Sequence, residues 1–197
     1  MSVPLVARAA ETSQPIHDLL SQRWSPRAFD AAVEVPDVAL TAMLEAARWA
    51  PSANNTQPWK FIVARKGTPE HDTVVTNLLG FNQTWANQAP VLIVNCAAVD
   101  GSDGAPNRFA SYDLGQSVAY LCAQAHHDGF YAHQMGGFRQ AELAEAFAIP
   151  APFVPLTVTA IGALGGPEML SSDELREREM QPRTRKPLDE MVFTPGR

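Results

Sequence analysis

A continuous apolar run, Val91-Leu92-Ile93-Val94-Asn95-Cys96, constrains this chain more than any other stretch, because so short a run is typical of a strand buried on both faces. Such a strand needs neighbours. Residues 59–64 read as a second strand, closed by the turn signals Lys66-Gly67 and Thr68-Pro69, and residues 156–162 as a third, with alternating β-branched side chains. Residues 130–135 suggest a brief fourth. Apolar residues at helical spacing predict helices over 37–51 (Leu40, Met43, Leu44, Ala47) and 108–128 (Tyr112, Gly115, Val118, Ala119, Cys122, Ala125). Shorter helices are expected at 16–23, 72–79, 140–148 and 173–180. Strands and helices do not alternate as regular β-α-β units, so the pattern is α+β with four or five strands.

Nothing in the 197 residues marks a boundary between two cores. Residues 15–197 are expected to form one domain, and residues 1–14, of mixed character, a flexible N-terminal arm. With 46% hydrophobic and 18% charged residues the composition argues against disorder. A net charge of -6 leaves no basic field to attract a polyanion, so nucleic acid is not an expected partner. No apolar run approaches the ~20 residues needed to span a bilayer, and Met1 to Glu11 lacks a basic segment followed by an apolar one. Cys96 and Cys122 sit singly in apolar runs, as buried free thiols in a reducing compartment do. The expected location is cytoplasmic.

Several polar segments suit a ligand. Arg23-Trp24-Ser25-Pro26-Arg27 sets two guanidiniums around a hydroxyl, able to satisfy the three acceptor oxygens of a phosphate monoester. Taken alone it also reads as a solvated helix end. The stretch Pro51-Ser52-Ala53-Asn54-Asn55-Thr56-Gln57-Pro58-Trp59 is stiffened by proline at both ends, which lowers the entropy lost on holding a ligand; a turn rich in Asx hydrogen bonds is the other reading. Arg183, Arg185 and Lys186 could join the first cluster on one phosphate, or balance Glu174, Glu177 and Glu179 from an exposed tail. Gly136-Gly137 either lets the backbone approach a planar ligand or makes a turn.

Other chemistries lack their residues. There is no Gly-x-Gly-x-x-Gly, Walker loop, His-Glu-x-x-His or Gly-x-Ser-x-Gly. His126 and His127 would diverge on a helix, and no carboxylate pair is spaced to join them or His133, so no metal is expected.

Four blocks, in this order, resemble the nitroreductase family of FMN-dependent oxidoreductases. They are Arg-Trp-Ser-Pro-Arg at 23–27, Ala-Pro-Ser-Ala-Asn-Asn-Thr-Gln-Pro-Trp at 50–59, Tyr112-Asp113-Leu114-Gly115 through Met135-Gly136-Gly137-Phe138, and Arg183-Thr184-Arg185-Lys186-Pro187-Leu188. The likeness runs from Pro15 to Phe193. It implies a nitroreductase-like fold, with a central, mostly antiparallel mixed sheet of four to five strands flanked by helices. It also implies an intertwined homodimer with FMN at the subunit interface. Arg23, Trp24, Ser25 and Arg27 would meet the FMN phosphate and nearby ribityl or pyrimidine oxygens, with Arg183 and Arg185 closing on the phosphate. Pro51, Ser52, Ala53, Asn55 and Gln57 would reach the cofactor of the opposite subunit. Met135, Gly136 and Gly137 would lie beside the isoalloxazine, with the Gly136 N–H near flavin N5, and Asn82 would contact the pyrimidine.

Two departures stand out. Trp24 replaces a histidine found in some members, and residues 81–91 contain no cation where some place a lysine near the pyrimidine. The resemblance further implies NADH or NADPH as donor and ping-pong hydride transfer through N5, without a catalytic side chain. The acceptor would be a nitroaromatic, a quinone-like molecule or another small electron-poor substrate. The alternatives are a specialised reductive flavin enzyme of the dehalogenase or ring-dehydrogenase type, and a flavin-binding or storage protein without turnover. Substrate choice is expected around residues 81–85 and 100–109.

Overall fold

The apolar run becomes the strand β2 (Val91–Ala98) in the computed structural model, which describes residues 8–101 and 104–193. Its neighbours are β1 (Trp59–Arg65) on one side and β4 (Phe153–Gly162) on the other, with β3 (Tyr131–Met135) beyond β4 at the edge. Every pair in this four-stranded sheet is antiparallel. The two-residue period of β2 sends Val91, Ile93 and Ala97 into one apolar cluster and Leu92, Val94 and Cys96 into another. Asn95 is tolerated inside the run because its Nδ2 donates to Thr159 Oγ1 (2.8 Å) and Thr157 Oγ1 (3.0 Å) of β4.

Two layers of helix cover the sheet. The helices α2 (Asp37–Arg48) and α5 (Ala110–His127) close the Ile93 side with Leu40, Met43, Leu114 and Leu121. On the Leu92 side stand α3 (Pro69–Asn77), α4 (Phe81–Trp85), α6 (Gln140–Ala146) and α7 (Asp173–Met180), through Val74, Trp85, Leu143 and Leu175. A short first helix, α1 (Asp18–Ser21), touches α5. The fold is thus α+β, in three layers.

The helix α5 shows how the sequence sets its position. Ala110, Asp113, Leu114, Ser117, Leu121 and Ala125 recur at helical spacing and are all buried, and the Ser117 hydroxyl donates to the Ala47 carbonyl of α2 at 2.8 Å. The opposite face carries Tyr112, Gly115, Ala119 and Tyr120, all exposed. At the far end of the chain Ser172 caps α7 by accepting from the Leu175 N–H. Leu175 and Glu179, four residues apart, then share its buried face.

The elements differ from the expected ones at several boundaries; α2 ends at Arg48, and α3 runs from Pro69 to Asn77, so that Pro69 opens a helix instead of closing a turn. The first helix ends at Ser21, so Arg23 lies outside it. The helix α4 has five residues, too few for a helical period to register in the sequence. The strand β4 starts at Phe153, three residues before the alternating run. Of the expected N-terminal arm, residues 1–7 lie outside the described residues, whereas Arg8 packs over the Trp24 ring, 4.2 Å from its centroid.

Candidate anion cradle and flavin-facing site

The segment 23–27 has no regular structure and is held by contacts at its C-terminal side. Phe29 bridges Leu164 just past β4, with Asp30 N–H donating to Ala163 O (3.0 Å) and Gly165 N–H to Ala28 O (2.9 Å). Two side chains, the buried Glu179 and the half-buried His133, then fix its backbone. Glu179 Oε1 accepts from the N–H groups of Arg27 (2.8 Å) and Ala28 (3.1 Å), and Oε2 lies 3.7 Å from Arg27 Nη1. His133 Nδ1 lies 2.8 Å from Pro26 O, and because a carbonyl only accepts, that nitrogen carries the proton. The His133 ring also packs against Trp85, 4.6 Å between centroids.

Five guanidiniums act on one another as like charges here: Arg23 and Arg27 of the segment, Arg8 over Trp24, and Arg183 and Arg185 near the end of the chain. Arg23 lies 3.4 Å from Ser25 Oγ, and Arg183 donates to the carbonyls of Arg8 (2.5 Å) and Ser21 (2.7 Å). Arg183, rather than Arg23, therefore meets the carbonyl at the end of α1. Burial, then the like charges of Arg23, Arg185 and Arg8, lower the pKa of Arg183. Arg8 is lowered by burial and by Arg27, against the opposing pull of Glu179. Among the described ion pairs, only Arg27 of these five arginines has a carboxylate partner. In a chain of net charge -6, this is a local excess of positive charge that a phosphate dianion would relieve.

The same field acts on the histidines. Burial foremost, and then Arg27 and Arg23, hold His133 down to about 4 despite its bond to Pro26, so its ring is neutral at pH 7. Burial and Arg23 lower His126 as well, and its Nδ1 is buried without a partner. No group of three or more His, Cys, Asp or Glu among the described residues could hold a metal ion.

The strand β3 links the cradle to the glycine pair, since His133 is two residues before Met135, the last residue of the strand. Met135 is buried in the core cluster, opposite Val158 of β4. Gly136 follows, exposed, with nothing within 4 Å of where a Cβ would stand. At Gly137 a Cβ would meet Asn82 Nδ2 at 2.9 Å, and that same amide donates to Gly137 O at 3.2 Å. Leu79 N–H donates to the same carbonyl at 2.9 Å. Asn82 therefore sets the backbone direction at the glycines. Trp24 is buried, edge-on to Tyr131 and covered by Arg8, so it braces the segment instead of presenting its indole.

The loop after α2 stands apart from the cradle. Asn54, Asn55 and Gln57 adopt left-handed backbone (φ 52°, 55° and 49°), which is costly for residues other than glycine and recurs at ligand sites. Asp113, buried on α5, holds the loop by accepting from Ala53 N–H at 3.0 Å, and Ser52 Oγ accepts from Gln57 N–H at 3.0 Å. Gln57 Nε2 also donates to Asn55. Pro51, Asn55 and Gln57 are exposed, and no hydrogen bond among the described residues joins this loop to the cradle. A cleft of about 310 Å³ lined by Ala31, Glu34, Val35, Arg65, Lys66 and Pro90 contains none of these groups. Its cation Arg65 is already engaged by Asp37 and Val35 O.

Sequence motifs alone left Glu179, His133, Asp113 and Arg8 without a role. Only spacing hinted at two of them: Glu179 falls four residues after Leu175, and Asp113 falls on the buried stripe of α5.

An exposed glycine backbone beside a crowded set of guanidiniums, on an antiparallel three-layer frame, defines an α+β protein built for a flat, phosphate-bearing ligand. The model of the nitroreductase family matches residues 20–69. A crystal structure of an oxidoreductase containing FMN superimposes with a TM-score of 0.88 at 38% identity, covering 95% of each chain. A nitroreductase family protein from Streptococcus pneumoniae shares the fold, with a TM-score of 0.71 at 20% identity over 90% of this chain and 98% of that one. The major NAD(P)H-flavin oxidoreductase of Aliivibrio fischeri is 38% identical over 71 residues, 34% of this chain and 32% of that protein. The chain belongs to the nitroreductase family.

Proposed function

We propose that this protein is an FMN-dependent NAD(P)H oxidoreductase that reduces nitroaromatic, quinone-like or other small electron-poor acceptors. The observation that carries this reading is the cradle: Arg8, Arg23, Arg27, Arg183 and Arg185 act on one another as like charges, and the buried Glu179 is their one carboxylate partner among the described ion pairs. That donor set fits a phosphate monoester, which offers three acceptor oxygens and up to two negative charges. FMN, when bound, supplies the hydride chemistry that no side chain of the site provides.

The chain's own part is binding and orientation. Arg23, Ser25 and Arg183 bind the phosphate, while Glu179 and His133 hold the backbone that carries them. Gly136 leaves room for a ring to lie against the main chain, with its N–H toward flavin N5, and Asn82 keeps the neighbouring peptide in place. Donor and acceptor take turns in one pocket beside that ring, with NADH or NADPH as donor.

The site is completed by a second copy of the chain. Two features support this homodimer: the exposed polar loop carrying Ser52, Asn55 and Gln57, anchored on α5 by Asp113, and the exposed outer face of α5 with its small Gly115 and Ala119. Close packing of two helices through such small residues is sterically open.

Purified protein should be yellow, dimeric by sedimentation, and bleached anaerobically by NADH or NADPH, with colour restored by a nitroaromatic or quinone. Failure of the apoprotein to take up FMN refutes the proposal. Flavin that is retained but never reduced by either nucleotide points instead to a storage protein.

A further inference from the structure

Arg8 lies outside the four sequence blocks, yet it touches the end of α7, Trp24 and Arg183 at once. Its guanidinium donates through Nη1 to Glu179 O and through Nη2 to Gln181 O, the carbonyls at the C-terminal end of α7. Its flat face covers the Trp24 ring at 4.2 Å. Its own carbonyl accepts from Arg183 Nη1 at 2.5 Å, and two residues on, the Ala10 N–H donates to Ser21 O at 2.7 Å, the carbonyl that also receives Arg183. Arg8 and Arg183 thus clasp each other across the two ends of the chain.

We propose that Arg8 is a positioning residue for the phosphate: it locks the N-terminal segment across the end of α7 and so fixes Arg183 and the segment bearing Arg23 and Arg27. The residue type fits the task. A helix C-terminus carries partial negative charge on unpaired carbonyls, and a planar fork can serve two of them at once while stacking on an aromatic ring. An ammonium can do only part of this. Without the Arg8 guanidinium the N-terminal segment is no longer pinned to α7, so the main-chain carbonyl of residue 8 is not held where Arg183 meets it, and Arg183 rotamer freedom must be given up when the phosphate binds. Arg8 also brings one more positive charge close to Arg27, in a cluster already short of anions.

The inference rests on the FMN reading above, and riboflavin separates the two, because it has the ring but not the phosphate. Wild-type, R8A and R8K apoproteins are titrated with FMN and with riboflavin by quenching of flavin fluorescence, after circular dichroism has established that each is folded. R8A should bind FMN about tenfold more weakly, the loss of one charge-assisted contact's worth of positioning. R8K should recover part of that loss, and riboflavin affinity should be the same in all three. Equal FMN affinity in R8A and wild type overturns the proposal, as does a parallel loss of FMN and riboflavin binding, which marks a general effect on the fold. If R8A does not fold, R8K binding FMN as tightly as wild type overturns it alone. Wild-type protein that binds no FMN removes the underlying reading first.

Discussion

Removing the Glu179 carboxylate tests the claim that the cradle backbone is held from α7. The side chain is 2% exposed, and its Oε1 takes the N–H groups of Arg27 and Ala28 at 2.8 and 3.1 Å. In Glu179→Ala the Ala28 N–H, on a residue 1% exposed, is left without its acceptor, while the Arg27 N–H can turn partly to water. A hydrogen bond to a charged group is worth about 1.5–3 kcal/mol. The Arg27 guanidinium also loses its partner 3.7 Å away, but at 27% exposure water recovers much of that. The sum is about 3–5 kcal/mol, in the range seen when one member of a buried pair is deleted. Against a domain stability of about 5–15 kcal/mol this is a large share. Urea unfolding of the apoprotein at one fixed protomer concentration measures it. Glu179→Gln keeps an acceptor oxygen and should cost less than half as much. A loss below about 1 kcal/mol in Glu179→Ala, the size of an ordinary substitution, would show that the bridge from Phe29 to Leu164 suffices to hold the segment.

The remaining expectations address pH, ring and interface. His133 titrates at about 4 in the folded chain and at the ordinary 6.5 when unfolded, so the unfolded state binds the extra proton between those values. Stability is therefore intact above pH 6.5 and falls by up to about 3 kcal/mol as the pH drops to 4; urea midpoints across that window should flatten in His133→Gln, and an unchanged slope counts against the assignment. Gly136→Ala introduces a methyl that meets nothing within 4 Å of the protein. Apoprotein stability should stay within about 0.5 kcal/mol, while FMN and riboflavin affinities fall together; unaltered flavin binding would place the ring elsewhere. Tyr120→Glu puts a charge on the outer face of α5, where Tyr120 is 47% exposed. Sedimentation should report a monomer, and a dimer of wild-type affinity would move the interface off this helix.

The fold was legible where residue types run together or repeat. The apolar run at 91–96 follows from burial on both faces, the β-branched residues at 156–162 from a strand, and the helical spacing locates α5, although Tyr112, Gly115 and Ala119 of the expected stripe lie on its exposed face. The five residues of α4 are too short for a period, and they are held by Trp85 against Phe29 and His133, contacts that only the folded chain creates. The site divides in the same way. Arg23, Ser25, Arg27 and the glycine pair stand out in the sequence because like chemistry falls within a few residues, and the proposed site rests on that clustering. Glu179 and His133 act on backbone atoms 152 and 107 residues away, and no local pattern encodes that. Asn82 is expected to meet a ligand, and its amide also donates to the Gly137 carbonyl, a contact set by how close the two segments approach and not readable from the sequence.

The contact between Arg183 and the Arg8 carbonyl spans 175 residues of sequence, and with the cradle as the proposed seat of the flavin phosphate it dictates when in the life of the molecule a flavin can first be held. Domains emerge from the ribosome N-terminus first, and pairings of such separation are slow to close. The cradle cannot exist until residue 183 has left the exit tunnel, so the cofactor cannot guide earlier stages of folding. The sheet, with its two apolar clusters, must reach a lasting form unaided, and loading with flavin becomes a maturation step that follows synthesis.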